Sequence, residues 1–118
     1  MHRSKSSRLA SLLLGTLWLA PQSQAQTPTA AENYAAKCAS CHMPDGKAQI
    51  IEMNFVEGSW KHGNKVAEIA KAIRDGIPET AMLPFKEQLS PKEIEALARY
   101  VRAFDKRLKP DSGSPAKK

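Results

Sequence analysis

Cys38-Ala39-Ser40-Cys41-His42 is the stretch on which the reading of this chain turns. The only two cysteines in 118 residues stand three positions apart, and a histidine follows directly. A disulfide between them would close a loop of only a few residues, and by the chain-entropy argument so small a loop stabilises a fold least. A zinc site needs more ligands at separated positions, and His62 is the one further histidine outside the N-terminal leader. A thioredoxin-like redox pair belongs in a βαβ setting, and no stretch of the chain alternates with strand period. The pentapeptide matches instead the signal for covalent haem attachment. Two thiols at a helix end can reach the two vinyl groups of one porphyrin, and His42 then directs its imidazole at the iron from the proximal side.

Outward from this motif the chain reads as helices separated by long loops, an all-α pattern. Upstream, Thr29 with Glu32 forms a capping box and predicts a first helix over Ala30 to Cys38, with Ala31, Tyr34, Ala35 and Cys38 on one face. Downstream, residues 42–64 read as loop, punctuated by Met43-Pro44-Asp45-Gly46, Gly58 and Gly63. A second helix fits Lys65 to Asp75, capped by Asn64 and stopped by Gly76, with Val66, Ile69, Ala70 and Ile73 as its apolar stripe. A second long loop, Ile77 to Leu89, contains Thr80-Ala81-Met82-Leu83-Pro84-Phe85. The last helix starts at the N-cap Ser90 with Pro91 in the first position and Glu93 closing a capping box. Its buried side is marked by Ile94, Leu97, Ala98, Val101 and Leu108, with Tyr100 and Phe104 alongside. Three short helices and two long loops make a small domain over residues 30–108, and such loops need something to pack on. A large apolar cofactor would supply the missing interior.

The ends of the chain carry different signals. Met1 to Ala25 reads as a signal peptide: a basic start with Arg3, Lys5 and Arg8, an apolar run from Leu9 to Ala20, and small residues before a cut after Ala25. The apolar run is too short to span a bilayer, so no stable membrane insertion is expected after cleavage. Residues 26–29 form a linker, and 109–118 a polar tail with no reason to order. The whole chain has a formal charge of +6. Losing Arg3, Lys5 and Arg8 with no acidic residue leaves 15 basic residues against 12 acidic, a net +3. That mild excess argues against nucleic acid as a partner and permits weak steering toward an acidic protein surface.

With these motifs in place the chain resembles the class I, monohaem cytochrome c family from Ala31 to Phe104. The likeness is carried by Ala31 and Tyr34 before the motif, by Cys38 to Lys47, by Gly76 to Phe85 (G-x-x-x-T-A-M-x-P-F), and by Leu89 to Arg102. The resemblance implies a small cytochrome c fold, three main helices and long loops wrapped around one haem c. It implies a periplasmic one-electron carrier rather than an enzyme, passing electrons between periplasmic or membrane oxidoreductases as its redox partner proteins, with an electron-transfer subunit of a periplasmic dehydrogenase complex as the alternative. Residue by residue, it makes Cys38 and Cys41 the attachment points, His42 the proximal iron ligand and Met82 the distal one. Ala31 and Tyr100 would mark the crossing of the first and last helices. Met53 and His62 are the competitors of Met82, the latter giving a bis-His haem of lower potential. A haem enzyme or sensor with a labile Met82 is the remaining alternative. Phe55 and Trp60 read as packing in the haem pocket, and Lys47, Lys61, Lys65 and Lys86 as docking charges. Many relatives carry a proline about a dozen residues after the proximal histidine, whose carbonyl orients the imidazole. Here that stretch is Ile51-Glu52-Met53-Asn54-Phe55, so the sequence leaves the acceptor for His42 unnamed.

Overall fold

The computed structural model describes residues 14–111; residues 1–13, which hold half of the expected signal peptide, and residues 112–118 of the expected tail lie outside the described residues. Among the described residues four helices occur in the order α1 (Ala30–Lys37), α2 (Ala39–His42), α3 (Val66–Asp75) and α4 (Pro91–Arg102), with one turn of 3-10 helix at Ile51–Met53. No strand occurs among the described residues.

Helix α1 begins where its capping box predicts. Thr29 accepts from the Glu32 N–H, and the Glu32 carboxylate accepts from the Thr29 N–H at 2.7 Å. Its buried face is made by Asn33 and Tyr34, while Ala31 and Ala35 are exposed. The crossing of α1 with α4 is therefore not set by Ala31. Asn33 reaches Glu93 at 3.4 Å, and the Tyr34 ring lies 5.3 Å from that of Tyr100 and 5.2 Å from that of Phe104. A polar residue is thus buried on the α1 face that meets α4 because a carboxylate on α4 accepts from its amide.

Helix α3 starts one residue later than the sequence suggests, with Lys65 rather than Asn64 in the cap position and no hydroxyl or carboxamide cap of its own. Two carboxylates replace that cap. Glu68 accepts from the Lys65 N–H at 3.0 Å, and Asp111 accepts from the Val66 N–H at 2.7 Å. Both place negative charge at the positive end of the helix dipole. Asn64 contributes its carbonyl to Arg102 of α4, at 2.7 Å. Helix α4 has the predicted Ser90, Pro91 and Glu93 start and ends at Arg102, so Phe104 and Leu108 belong to the turns beyond it rather than to its stripe.

The core lies between α3 and α4 and is closed by α1. Val66, Ile69 and Ile73 meet Leu89, Ile94, Leu97, Ala98 and Val101, with Tyr34 capping one end. Leu97 and Ala98 are fully buried. Cys38, Phe55, Trp60, Met82, Phe85, Tyr100 and Phe104 pack around this cluster while remaining partly open. That half-covered ring of side chains carries the residues singled out from the sequence.

Candidate functional site

Helix α2 is a single turn that presents Cys38, Cys41 and His42. Its N–H groups close on Cys38, with the His42 N–H donating to the Cys38 carbonyl at 3.0 Å. Cys38 is half-buried, Cys41 is exposed, and the two thiols are not joined. Burial pushes the Cys38 thiol up, with the neighbouring Lys37 charge working against it.

The turn is terminated abruptly. Met43 has φ 67 and ψ 151, a backbone region that only glycine adopts without strain. Two donors hold its carbonyl there: the Tyr34 hydroxyl at 2.7 Å and the Gly46 N–H at 3.0 Å. Gly46 itself has φ 72, and a Cβ there would strike the Phe104 ring, so the loop turns tightly over the α4 end. The Tyr34 hydroxyl is thus anchored on the backbone immediately after His42. Desolvation raises its pKa to about 12, so it remains a donor.

His42 is oriented from two directions. Its Nδ1 lies 2.8 Å from the Met53 carbonyl. A carbonyl only accepts, so Nδ1 carries the proton and Nε2 carries the lone pair. Burial pushes the His42 pKa down, toward the neutral imidazole, and the Met53 carbonyl works against it while fixing the tautomer. The ring is also stacked on Phe55, centroids 4.2 Å apart and planes 19° apart. Asn54 builds the loop that delivers both partners. Its amide donates to the Ala48 carbonyl at 2.9 Å, and its Oδ1 accepts from the Val56 and Glu57 N–H groups, each at 2.8 Å.

Met82 comes from the other long loop, which is fastened to the end of α3. The Ile77 N–H donates to the Met82 carbonyl at 2.9 Å, the Met82 N–H donates to Thr80 Oγ1 at 3.1 Å, and the Phe85 N–H donates to the Ile73 carbonyl at 3.0 Å. Gly76, at φ 69, lies directly under this loop; a Cβ there would sit 2.7 Å from the Met82 carbonyl oxygen. Met82 is half-buried against the core, and next to it Leu83 is 68% exposed.

The competitors are placed differently. The Met53 backbone is on the Nδ1 side of the imidazole, away from the Nε2 lone pair. His62 is exposed in its loop. The zinc reading lacks its further ligands: among the described residues no three His, Cys, Asp or Glu side chains come together. Lys47, Lys61, Lys65 and Lys86, expected to serve in docking, are all exposed, with Lys47 paired to Glu57 at 3.8 Å. Trp60 is more than pocket packing, since its indole N–H donates to Asp105 at 2.8 Å.

These residues fit a covalently held haem. Two separate thiols and a histidine with its Nε2 lone pair lie in one turn. The loops on either side expose large apolar side chains, Ile50 at 58% and Ile51 at 48% as well as Leu83, which a polypeptide of this size gives no partner. Three contributors have roles that the sequence does not spell out. The Met53 carbonyl is a backbone group, which any residue could supply. Asp105 follows the helix in a charged run and looks solvated, yet its side chain is fully buried. The Tyr34 hydroxyl acts on backbone nine residues ahead.

The profile of the family described as cytochrome c oxidase, cbb3-type, subunit III matches residues 25–101. The FixP subunit of the cbb3-type cytochrome c oxidase of Azorhizobium caulinodans is 30% identical over 107 residues, covering 88% of this chain. That match takes in only 36% of the relative's own length, so the chain spans about a third of it. Among solved structures, the c-type cytochrome KustC0563 is 32% identical with a TM-score of 0.56, covering 67% of this chain and all of that one. Cytochrome c6 of the diatom Phaeodactylum tricornutum is 30% identical with a TM-score of 0.52, covering 63% of this chain and 88% of that one.

Proposed function

As a member of the class I c-type cytochromes, in the family described as cytochrome c oxidase, cbb3-type, subunit III, this chain transfers electrons through a covalently bound haem c, and we propose that Cys38, Cys41, His42 and Met82 hold it. Haem c supplies a one-electron couple when bound. The Cys38 and Cys41 thiols would attach it covalently, and His42 through Nε2 and Met82 through its thioether sulfur would hold the iron. The observation that carries this reading is the 2.8 Å contact of His42 Nδ1 with the Met53 carbonyl, which leaves Nε2 as the donor atom in the turn that also presents both thiols.

The same arrangement favours a carrier over a catalyst. The Met82 backbone is clamped through both its N–H and its carbonyl, and with His42 and the Met82 thioether both holding the iron no position would be left for a substrate. A thioether ligand favours the reduced state and gives a comparatively high potential. Residues 1–25 would direct export to the periplasm, with 26–29 as linker and 30–108 as the electron-transfer domain. Among the described residues no helix is long and apolar enough to cross a membrane. The exposed lysines would dock weakly on acidic surfaces of redox partners, so that association slows as salt rises.

A second reading is supported by one observation: the relative at 30% identity is a subunit of an oxidase. In that case the electrons pass within a fixed assembly, and the chain co-purifies with a membrane oxidoreductase instead of emerging alone. The ligand assignment is tested by the visible spectrum of the ferric holoprotein. The red band of Met-sulfur ligation should be present, vanish in Met82→Ala and persist in Met53→Leu and His62→Ala. Its persistence in Met82→Ala would remove Met82 from the site.

A further inference from the structure

We propose that Asp105 is a positioning residue for His42, acting through Trp60 and Phe55. The Asp105 side chain is fully buried just beyond α4. It accepts from the Trp60 indole N–H at 2.8 Å, from Arg107 Nε at 2.9 Å and Nη2 at 2.7 Å, and from the Arg107 backbone N–H at 3.0 Å. Arg107 also donates to the Gly58 carbonyl, tying the same carboxylate to the loop that carries Trp60. Trp60 has φ 48, a conformation that side chains rarely adopt, so its bond to Asp105 is one restraint holding the indole where it is.

From there the restraint passes by ring contact. The indole lies parallel to Phe55, centroids 5.7 Å and planes 20° apart, and Phe55 lies parallel to the His42 imidazole at 4.2 Å and 19°. Phe104, the residue before Asp105, adds a second near-parallel ring at 6.5 Å from Phe55. The Met53 carbonyl fixes where Nδ1 lies, but one hydrogen bond leaves the plane of the imidazole free to rock about it. The face of Phe55 removes that freedom, and Asp105 holds the far end of the stack. A well-packed apolar residue generally stabilises a fold as well as a buried ion pair does. What the carboxylate adds is direction, since it fixes the indole N–H vector and the arginine together.

The inference rests on His42 as the axial ligand, and its test separates the two. The ferric holoprotein is examined by proton NMR, in which the pattern of the four haem-methyl shifts follows the orientation of the axial imidazole plane. The parent protein's own shifts report whether an imidazole is bound at all. Asp105→Leu and Trp60→Phe should both redistribute the haem-methyl shifts, and Asp105→Asn, which keeps an acceptor for Trp60, should lie closer to the parent. Ser90→Ala, which removes the cap at the far end of α4, should lower the melting temperature and leave the pattern unchanged. If Asp105→Leu does not accumulate as holoprotein, Trp60→Phe, which keeps a ring in place, carries the test. Patterns in Asp105→Leu or Trp60→Phe that superimpose on the parent, or an equal redistribution in Ser90→Ala, would overturn the proposal.

Discussion

The Tyr34 hydroxyl and the Met43 carbonyl meet at 2.7 Å inside a tyrosine that is only 2% exposed. Removing the hydroxyl in Tyr34→Phe leaves the strained Met43 peptide with the Gly46 N–H alone. The variant should lose about 1 kcal/mol, read from chemical denaturation of the holoprotein. Asp105 makes a larger difference. Arg107 beside it, together with the Trp60 N–H, holds its carboxyl well below the usual carboxylate range, against the desolvation that would raise it. A carboxyl depressed in this way stabilises the fold fully above its ordinary value of 3.8, and that contribution is lost as pH falls from there toward the folded-state value. Asp105→Ala should therefore cost about 2 kcal/mol at neutral pH, because it leaves the Trp60 indole N–H without its acceptor while the exposed Arg107 turns to water. In Asp105→Asn the fall in stability between about pH 4 and pH 2 should be shallower than in the parent, as measured by denaturation across that range. At this scale the sequence reveals some residues and hides others. Cys38, Cys41 and His42 are legible because their spacing has one chemical use. The Met53 carbonyl is not, because a backbone acceptor has no side-chain signature, and Asp105 is not, because its burial depends on α4 ending at Arg102.

The helices and loops carry their own predictions. Ser90→Ala removes the side-chain acceptor for the Glu93 N–H and should cost about 1 kcal/mol. Leu97→Ala opens a cavity at a fully buried position between α3 and α4, with a loss of about 3 kcal/mol. Gly76→Ala is sharper, since it strains a φ of 69 and drives a Cβ against the Met82 loop. It should weaken the Met-sulfur band and lower the reduction potential, where an exposed Ala81→Gly in the same loop leaves both near the parent. The capping boxes at Thr29 and Ser90 were readable because each is a local code completed within four residues. The α3 start was not, since Lys65 carries no cap and Asp111, 45 residues away, supplies one. Nothing in Lys109-Pro110-Asp111 announces that task. The Met82 loop was readable as a loop, but its fastening through Ile73, Ile77 and Gly76 is a matter of backbone approach.

Across the whole molecule, the polypeptide interior is one cluster between α1, α3 and α4, and two long loops expose Ile50, Ile51 and Leu83. A domain of this size gains little from its own core, so a covalently held apolar group would contribute both function and stability. The all-α fold was legible from helix signals and the absence of strand period, and the site from one pentapeptide. The central claim is that two thioether bonds fasten haem to Cys38 and Cys41. It is tested most directly by the intact mass of the mature protein, made with the haem-attachment machinery and measured after unfolding in acidified organic solvent. The chain should be heavier than its amino acids by one haem, and a Cys38→Ala, Cys41→Ala variant should carry no such adduct. A folded parent protein that weighs only its polypeptide, or releases its pigment into the solvent, would contradict it.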